Sequence, residues 1–202
     1  MPRPPAPERI ERVRKFINTL DVEQGRDTLR SRDEAHAWLV AEGLPAGDRL
    51  KEAELARLID FREGLRALLA SRSETGAVTS DTLRALAQLA ESAQLVVRFG
   101  PDGKPRLEPA RGSDPVIAAL LADIAEAVGD GSWSRLKVCA NDACRWAFWD
   151  ASRNHSGVWC TMAVCGNRMK GRAFRARAHG AVTMSPGPVA VLPAPQTLDR
   201  HG

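Results

Sequence analysis

The four cysteines of this 202-residue chain all fall between residues 139 and 165, at Cys139, Cys144, Cys160 and Cys165, in the spacing C-x4-C-x15-C-x4-C. Two pairs with equal internal spacing rarely arise by random placement. If the four thiols share one ligand, they force distant stretches of chain to a single point, a stronger constraint than any helical stripe. The start, "MPRPPAPERIERVRK", lacks the apolar stretch of a secretory signal, so a cytoplasmic protein is expected. No apolar run approaches the ~20 residues needed to span a bilayer, and no membrane role is expected. In such a chain paired thiols serve more often as metal ligands than as disulfides. The reading is one structural Zn2+ held tetrahedrally by four thiolates, with two disulfides or four unrelated buried thiols as alternatives. Four sulfurs close the zinc shell and leave no position for water or substrate, which points away from catalysis.

The flanking residues suit that site. "RLKVCANDACRWAFW" predicts a strand, a turn through Asn141 and Asp142, and a second strand, together a knuckle presenting Cys139 and Cys144. "ASRNHSG" is a turn, and "VWC" brings the chain back. Thr161 would then cap a helix through "MAVCGNRMKGRAFRARAH", with Cys165 in its early turns. A knuckle, a hairpin and a ligand-bearing helix make a treble-clef-like arrangement, with thiolates near a helix N-terminus that favours negative charge.

Charge divides the chain. Residues 133–180 carry nine basic and two acidic side chains, a net +7, whereas residues 1–132 carry 19 basic and 22 acidic, a net −3. Four thiolates and Zn2+ sum to −2, so some of the arginines could support the metal, but nine cations exceed that need. On a helical wheel Cys165, Met169, Ala173 and Ala176 share a face expected to pack inward. Arg168, Arg172, Arg175 and His179 lie beside it, and Lys170 and Arg177 flank Phe174. A solvated charged helix is the plain reading; phosphate neutralisation by clustered arginines is the sharper one.

The first ~130 residues read as helices by apolar spacing. Stripes run through Ile10, Val13, Ile17 and Leu20; through "SRDEAHAWLVAEGL", capped by Ser31 with Glu34 at the third position; through Leu55, Leu58, Ile59, Leu65, Leu68 and Leu69; and through Leu83, Leu86 and Leu89. Leu95 to Phe99, then Gly-Pro-Asp-Gly and a run around Arg106 to Glu108, predict one β-hairpin. A last helix, capped near Ser113 with Pro115 in its first turn, buries Val116, Ile117, Leu120, Leu121, Ile124 and Val128. "GDGSW" marks the boundary, and the Pro- and Gly-rich residues 180–202 are expected to be disordered.

"CANDACRWAFWDASRN" followed by "WCTMAVCGNRMKGRAFRAR" resembles the CGNR zinc-finger domain, named for the tetrapeptide Cys165-Gly166-Asn167-Arg168. "FINTLD" (Phe16 to Asp21), "WLVAEGL" and "LRALLA" resemble the ABATE region that usually precedes it, a stress-induced transcription regulator domain. The resemblance implies zinc on Cys139, Cys144, Cys160 and Cys165 and a role as a bacterial DNA-binding regulator.

The expected fold is mainly α (α+β): a helical regulatory domain with one β-hairpin (1–130), then a treble-clef-like zinc module (133–179). The first would receive a small-molecule effector or protein partner. The second would bind DNA through Arg168, Lys170, Arg172, Arg175 and Arg177, with Arg145 and Arg153 secondary. A lone finger leaves room for a homodimer. No phosphate-cradling loop, nucleophile elbow or HExxH occurs, so no enzyme is expected. Rival readings make the module an RNA-binding or protein-interaction element, or a redox switch that ejects zinc on oxidation. Trp146 or Trp149 is expected in the module's small core, with base stacking as the alternative. His155 is a minor candidate ligand, Asn167 reads as structural, and Asn18, His36 and Trp38 as caps or buried residues.

Overall fold

The computed structural model describes residues 5–72 and 78–182, and divides into two compact units between Gly166 and Asn167. The first unit opens with α1 (Glu8–Ile17), whose Glu8 and Glu11 lie in the first turn and Arg14 and Lys15 in the last, matching the helix dipole. Its Ile10, Val13, Phe16 and Ile17 are buried. Leu20, expected on the same stripe, instead leaves the helix in a two-residue strand. That strand, β1 (Leu20–Asp21), pairs antiparallel with β2 (Arg26–Asp27), a small ladder beyond the one hairpin expected. The Ser31 cap of α2 (Arg32–Ala41) forms as expected, its hydroxyl accepting the Glu34 N–H at 3.3 Å.

Helix α3 (Glu52–Ala70) is the spine of the core, with Leu55, Leu58, Phe61, Leu65 and Leu69 buried. Two of its arginines, Arg62 and Arg66, are buried as well. Helix α4 (Ser80–Glu91) is capped by Thr79 and has no buried residue; Leu83 is 47% exposed, while Leu86 and Leu89 only lean on the core. The core role expected for this stripe is thus corrected: an amphipathic period fixes a face, not its depth. The expected hairpin is present as β3 (Leu95–Phe99) and β4 (Pro105–Pro109), in register from Leu95↔Pro109 to Phe99↔Pro105.

In α5 (Pro115–Gly129) the cap is Asp114 rather than Ser113, its Oδ1 accepting the Ile117 N–H at 3.2 Å. Val116, Ile117 and Leu120 are buried, but Val128 faces solvent. Arg12 of α1 clamps Asp123 of α5 through Nε and Nη2 at 2.7 and 3.1 Å. Burial pushes the Asp123 carboxyl above the usual range despite that partner. After a short 3-10 turn (Ser132–Arg135), β5 (Leu136–Val138) pairs antiparallel with β6 (Ala147–Trp149). This hairpin is continuous with the helical core: Leu136, Val138 and Ala147 join Ile10, Phe16 and Leu65 in one buried cluster.

The second unit is, among the described residues, helix α6 (Asn167–Val182). Residues 180–182 are helical rather than disordered; the rest of the expected tail lies outside the described residues.

Candidate metal centre

The knuckle begins where β5 ends. Cys139 donates its N–H to Trp146 O at 2.9 Å, and the Asn141 carbonyl accepts the N–H of Cys144 and Arg145 at 2.8 and 3.0 Å. Closing that turn puts Arg145 in the left-handed region, at φ 49°. The Asn141 N–H points at the Cys139 sulfur and the Trp146 N–H at the Cys144 sulfur, so each thiol meets the amide two residues on. The return segment docks through Ala140 N–H to Val158 O at 3.1 Å. The last ligand follows in a wide π-type turn (Met162–Gly166) closed by Gly166 N–H to Thr161 O at 3.2 Å. Cys165 therefore sits in this turn, ahead of α6, rather than in a regular helix started by Thr161. A Cβ on Gly166 would run into Met162 Sδ and stand 3.2 Å from Trp159 Cδ1, so a larger residue there would displace the Met162 side chain.

All four Sγ atoms lie within 4.8 Å of one another. Cys144 and Cys160 are 3.7 Å apart, Cys160 and Cys165 3.6 Å. A tetrahedral zinc with sulfurs at about 2.3 Å has S–S edges of about 3.8 Å, so the donor set fits that ion. The thiols are not disulfide-bonded, which removes that alternative. Among themselves they tolerate little charge. The Cys160 thiol and the amides of Cys160 and Asn141 lower Cys139 to about 5, against burial. Burial and the Cys139 charge push Cys144 up to about 12, and Cys160 also rises, through its bond to Cys139 and burial. Four thiolates in this space need a cation among them. Trp146 and Trp159 pack against the sulfurs, while Trp149 leans on the helical core; His155 is exposed and outside the cluster.

The knuckle is held by contacts that the sequence reading did not foresee, although Asn18 caps α1 and Asn141 stands in the turn as expected. Asn18, at the end of α1, donates to Ala147 O at 2.9 Å and accepts Ala147 N–H at 2.8 Å, standing in for a neighbouring strand. Arg66 donates to the carbonyls of Ile17 (2.5 Å), Leu20 (3.3 Å) and Arg145 (2.9 Å), and to Glu63 at 3.1 Å. Asn141 donates to Cys165 Sγ at 3.6 Å. Behind the knuckle Asp150 accepts from Lys137 Nζ and Gly157 N–H, each at 2.7 Å, and from Ser152 N–H at 3.0 Å. Burial would raise the Asp150 carboxyl, but these donors prevail and hold it well below the usual range.

The basic candidates fall into separate places. Arg168, Lys170, Arg172, Arg175 and Arg177 are exposed on α6, as is Phe174, and no acid interrupts them. Of the row expected to pack inward, Cys165 is buried and Met169 half-buried, but Ala173 and Ala176 are exposed. Arg153 is exposed in the loop that Asp150 organises. Arg145 lines an open groove of about 800 Å3 with Arg57 and Glu63 of α3 and Gln88 of α4.

A comparison with curated proteins finds no match. The family described as "CGNR zinc finger" matches residues 135–178, spanning all four cysteines and the basic residues through Arg177. The family described as "Putative stress-induced transcription regulator", ABATE, matches residues 12–131, from α1 to the turn after α5. The four-sulfur site follows a matched region that covers more than half of the chain, and the chain belongs to the ABATE family, with a CGNR zinc finger at its C-terminal side.

Proposed function

We propose that this protein is a DNA-binding transcription regulator whose finger is stabilised by one structural Zn2+ on Cys139, Cys144, Cys160 and Cys165. The observation that carries the reading is the sulfur geometry, with edges of 3.6 and 3.7 Å in a cluster that four negative charges could not share unaided. When bound, zinc supplies folding free energy by cross-linking the knuckle to the turn at Cys165. Helix α6 carries the DNA contacts: Arg168, Lys170, Arg172, Arg175 and Arg177 meet phosphates or base edges, and Arg153 and Arg145 are secondary. Residues 1–130 receive the signal, and the α3–α4 groove is a place for a small effector.

The test is anisotropy of labelled duplex DNA across a salt series, with zinc content measured on the same samples. Reversal of two charges (Arg172→Glu with Arg175→Glu) should weaken binding and reduce the salt slope by up to about 2, each phosphate contact contributing ~0.9. Zinc content should stay unchanged. Unaltered DNA binding would remove α6 from the interface. Displacement of DNA by RNA at equal concentration would make the finger an RNA module instead.

A further inference from the structure

The four sulfurs are not equally sheltered. Cys139, Cys144 and Cys165 are 3%, 7% and 1% exposed, whereas Cys160 is half-buried and forms part of a groove wall. The groove holds about 530 Å3, and Trp146, Trp149 and the mostly buried Phe148 line it together with Cys160. Its charged residues, Arg14 and Glu11, are paired with each other, so neither is available to draw in an ion. The geometry points to Cys160 as a modification site: the sulfur of the centre that is oxidised first, by an organic hydroperoxide seated on the aromatic wall. This rests on the zinc reading above and adds to it the reactive residue and the class of reactant.

The chemistry closes without another reactant. The Cys160 thiolate attacks the terminal oxygen of the hydroperoxide. An S–O bond forms, the O–O bond breaks, and the alkoxide leaves and takes a proton to become the alcohol. Cys160 is then a sulfenic acid, oxidised by two electrons. A neighbouring thiolate attacks that sulfur, expelling hydroxide and forming a disulfide. Cys144 and Cys165, 3.7 and 3.6 Å away, are both in reach after a shift of under about 2 Å to the 2.05 Å bond length. Two of the four sulfurs are thereby withdrawn from the metal. The aromatic wall selects an organic peroxide because an alkyl or aryl group gains by leaving water there, and hydrogen peroxide has no such group.

The experiment uses the full chain at its measured zinc content, with cumene hydroperoxide or hydrogen peroxide below stoichiometry. Remaining thiols are capped with N-ethylmaleimide, peptides are mapped by mass, and released zinc is followed with a colorimetric chelator. The first disulfide should contain Cys160, and zinc should leave in step with it. Cumene hydroperoxide should act roughly tenfold faster, the difference that burial of part of an aryl group would produce. A first disulfide without Cys160, or a rate with hydrogen peroxide equal or greater, would overturn the proposal. A folded but metal-free preparation would overturn the zinc reading, whereas a zinc-loaded protein whose first disulfide lacks Cys160 would overturn this proposal and leave the zinc reading standing. Because Cys160→Ser removes a ligand, the wild-type map is the deciding measurement.

Discussion

A guanidinium inside a protein core is tolerable only if its donors are matched, and Arg66 matches them with three backbone carbonyls and Glu63. Burial pulls its pKa down, with the Glu63 charge acting against that. Replacing it by methionine, Arg66→Met, keeps much of the volume but strands those acceptors, at ~1–3 kcal/mol for each one left dry. Urea unfolding of the zinc-loaded protein should show a loss of about 3 kcal/mol or more. Arg72→Met, which removes a guanidinium 5.3 Å above the Trp133 ring together with its 3.2 Å bond to Trp133 O, should cost less, about 1–2 kcal/mol. Asp150 makes a pH prediction. Its folded carboxyl is held below the ordinary range, so the stability it contributes is present above about pH 4 and drains away as pH falls. Asp150→Asn should therefore flatten the stability–pH curve between about pH 5 and pH 2 relative to wild type, measured by denaturant midpoints. The cysteines were legible in the sequence because ligation depends on residue type and spacing. Arg62 and Arg66 were not, since a charged pair four apart beside Glu63 reads like a solvated face. The carbonyls that Arg66 meets lie 46 to 79 residues away.

Helices in this fold differ in how firmly they are held. Phe61 of α3 is buried and stacks 6.0 Å from Phe16, centroid to centroid, whereas Leu83 of α4 is nearly half exposed. Phe61→Ala should cost ~3–5 kcal/mol by leaving a cavity, and Leu83→Ala under about 1 kcal/mol; thermal or urea unfolding separates them. Amide exchange should be fastest along α4 among the helices of the first unit, because no residue of it is buried. The elements themselves were legible: α3, the β3–β4 hairpin and the β5–β6 knuckle stand where periodicity and turn residues placed them. The β1–β2 ladder was not, since a strand of two residues has no period to detect. Nor was the wide turn at Met162–Gly166, where an ordinary helix and a π-type turn share the same residue preferences.

Across the whole molecule, no helix among the described residues is long and apolar enough to cross a membrane. The metal hairpin and the ABATE helices share one buried cluster, so stripping the metal should be felt well beyond the knuckle. Calorimetry of the first unit should show one transition that moves to lower temperature with a strong chelator, rather than a separate low-temperature melt beside an unshifted one. The division of composition between residues 1–132 and 133–180 was plain in the sequence; that Leu136, Val138 and Ala147 insert into the other part's core was not. A period-two pattern in a three-residue strand cannot say what lies across from it. Asn18 has a practical corollary. Its amide occupies the backbone of Ala147 as a third strand would, so a finger cut from its neighbour exposes both an unpaired sheet edge and three bare aliphatic side chains. Fragments beginning near residue 133 should retain ion binding yet precipitate, and transplanting the finger onto foreign scaffolds should succeed only when the asparagine and its helix travel with it.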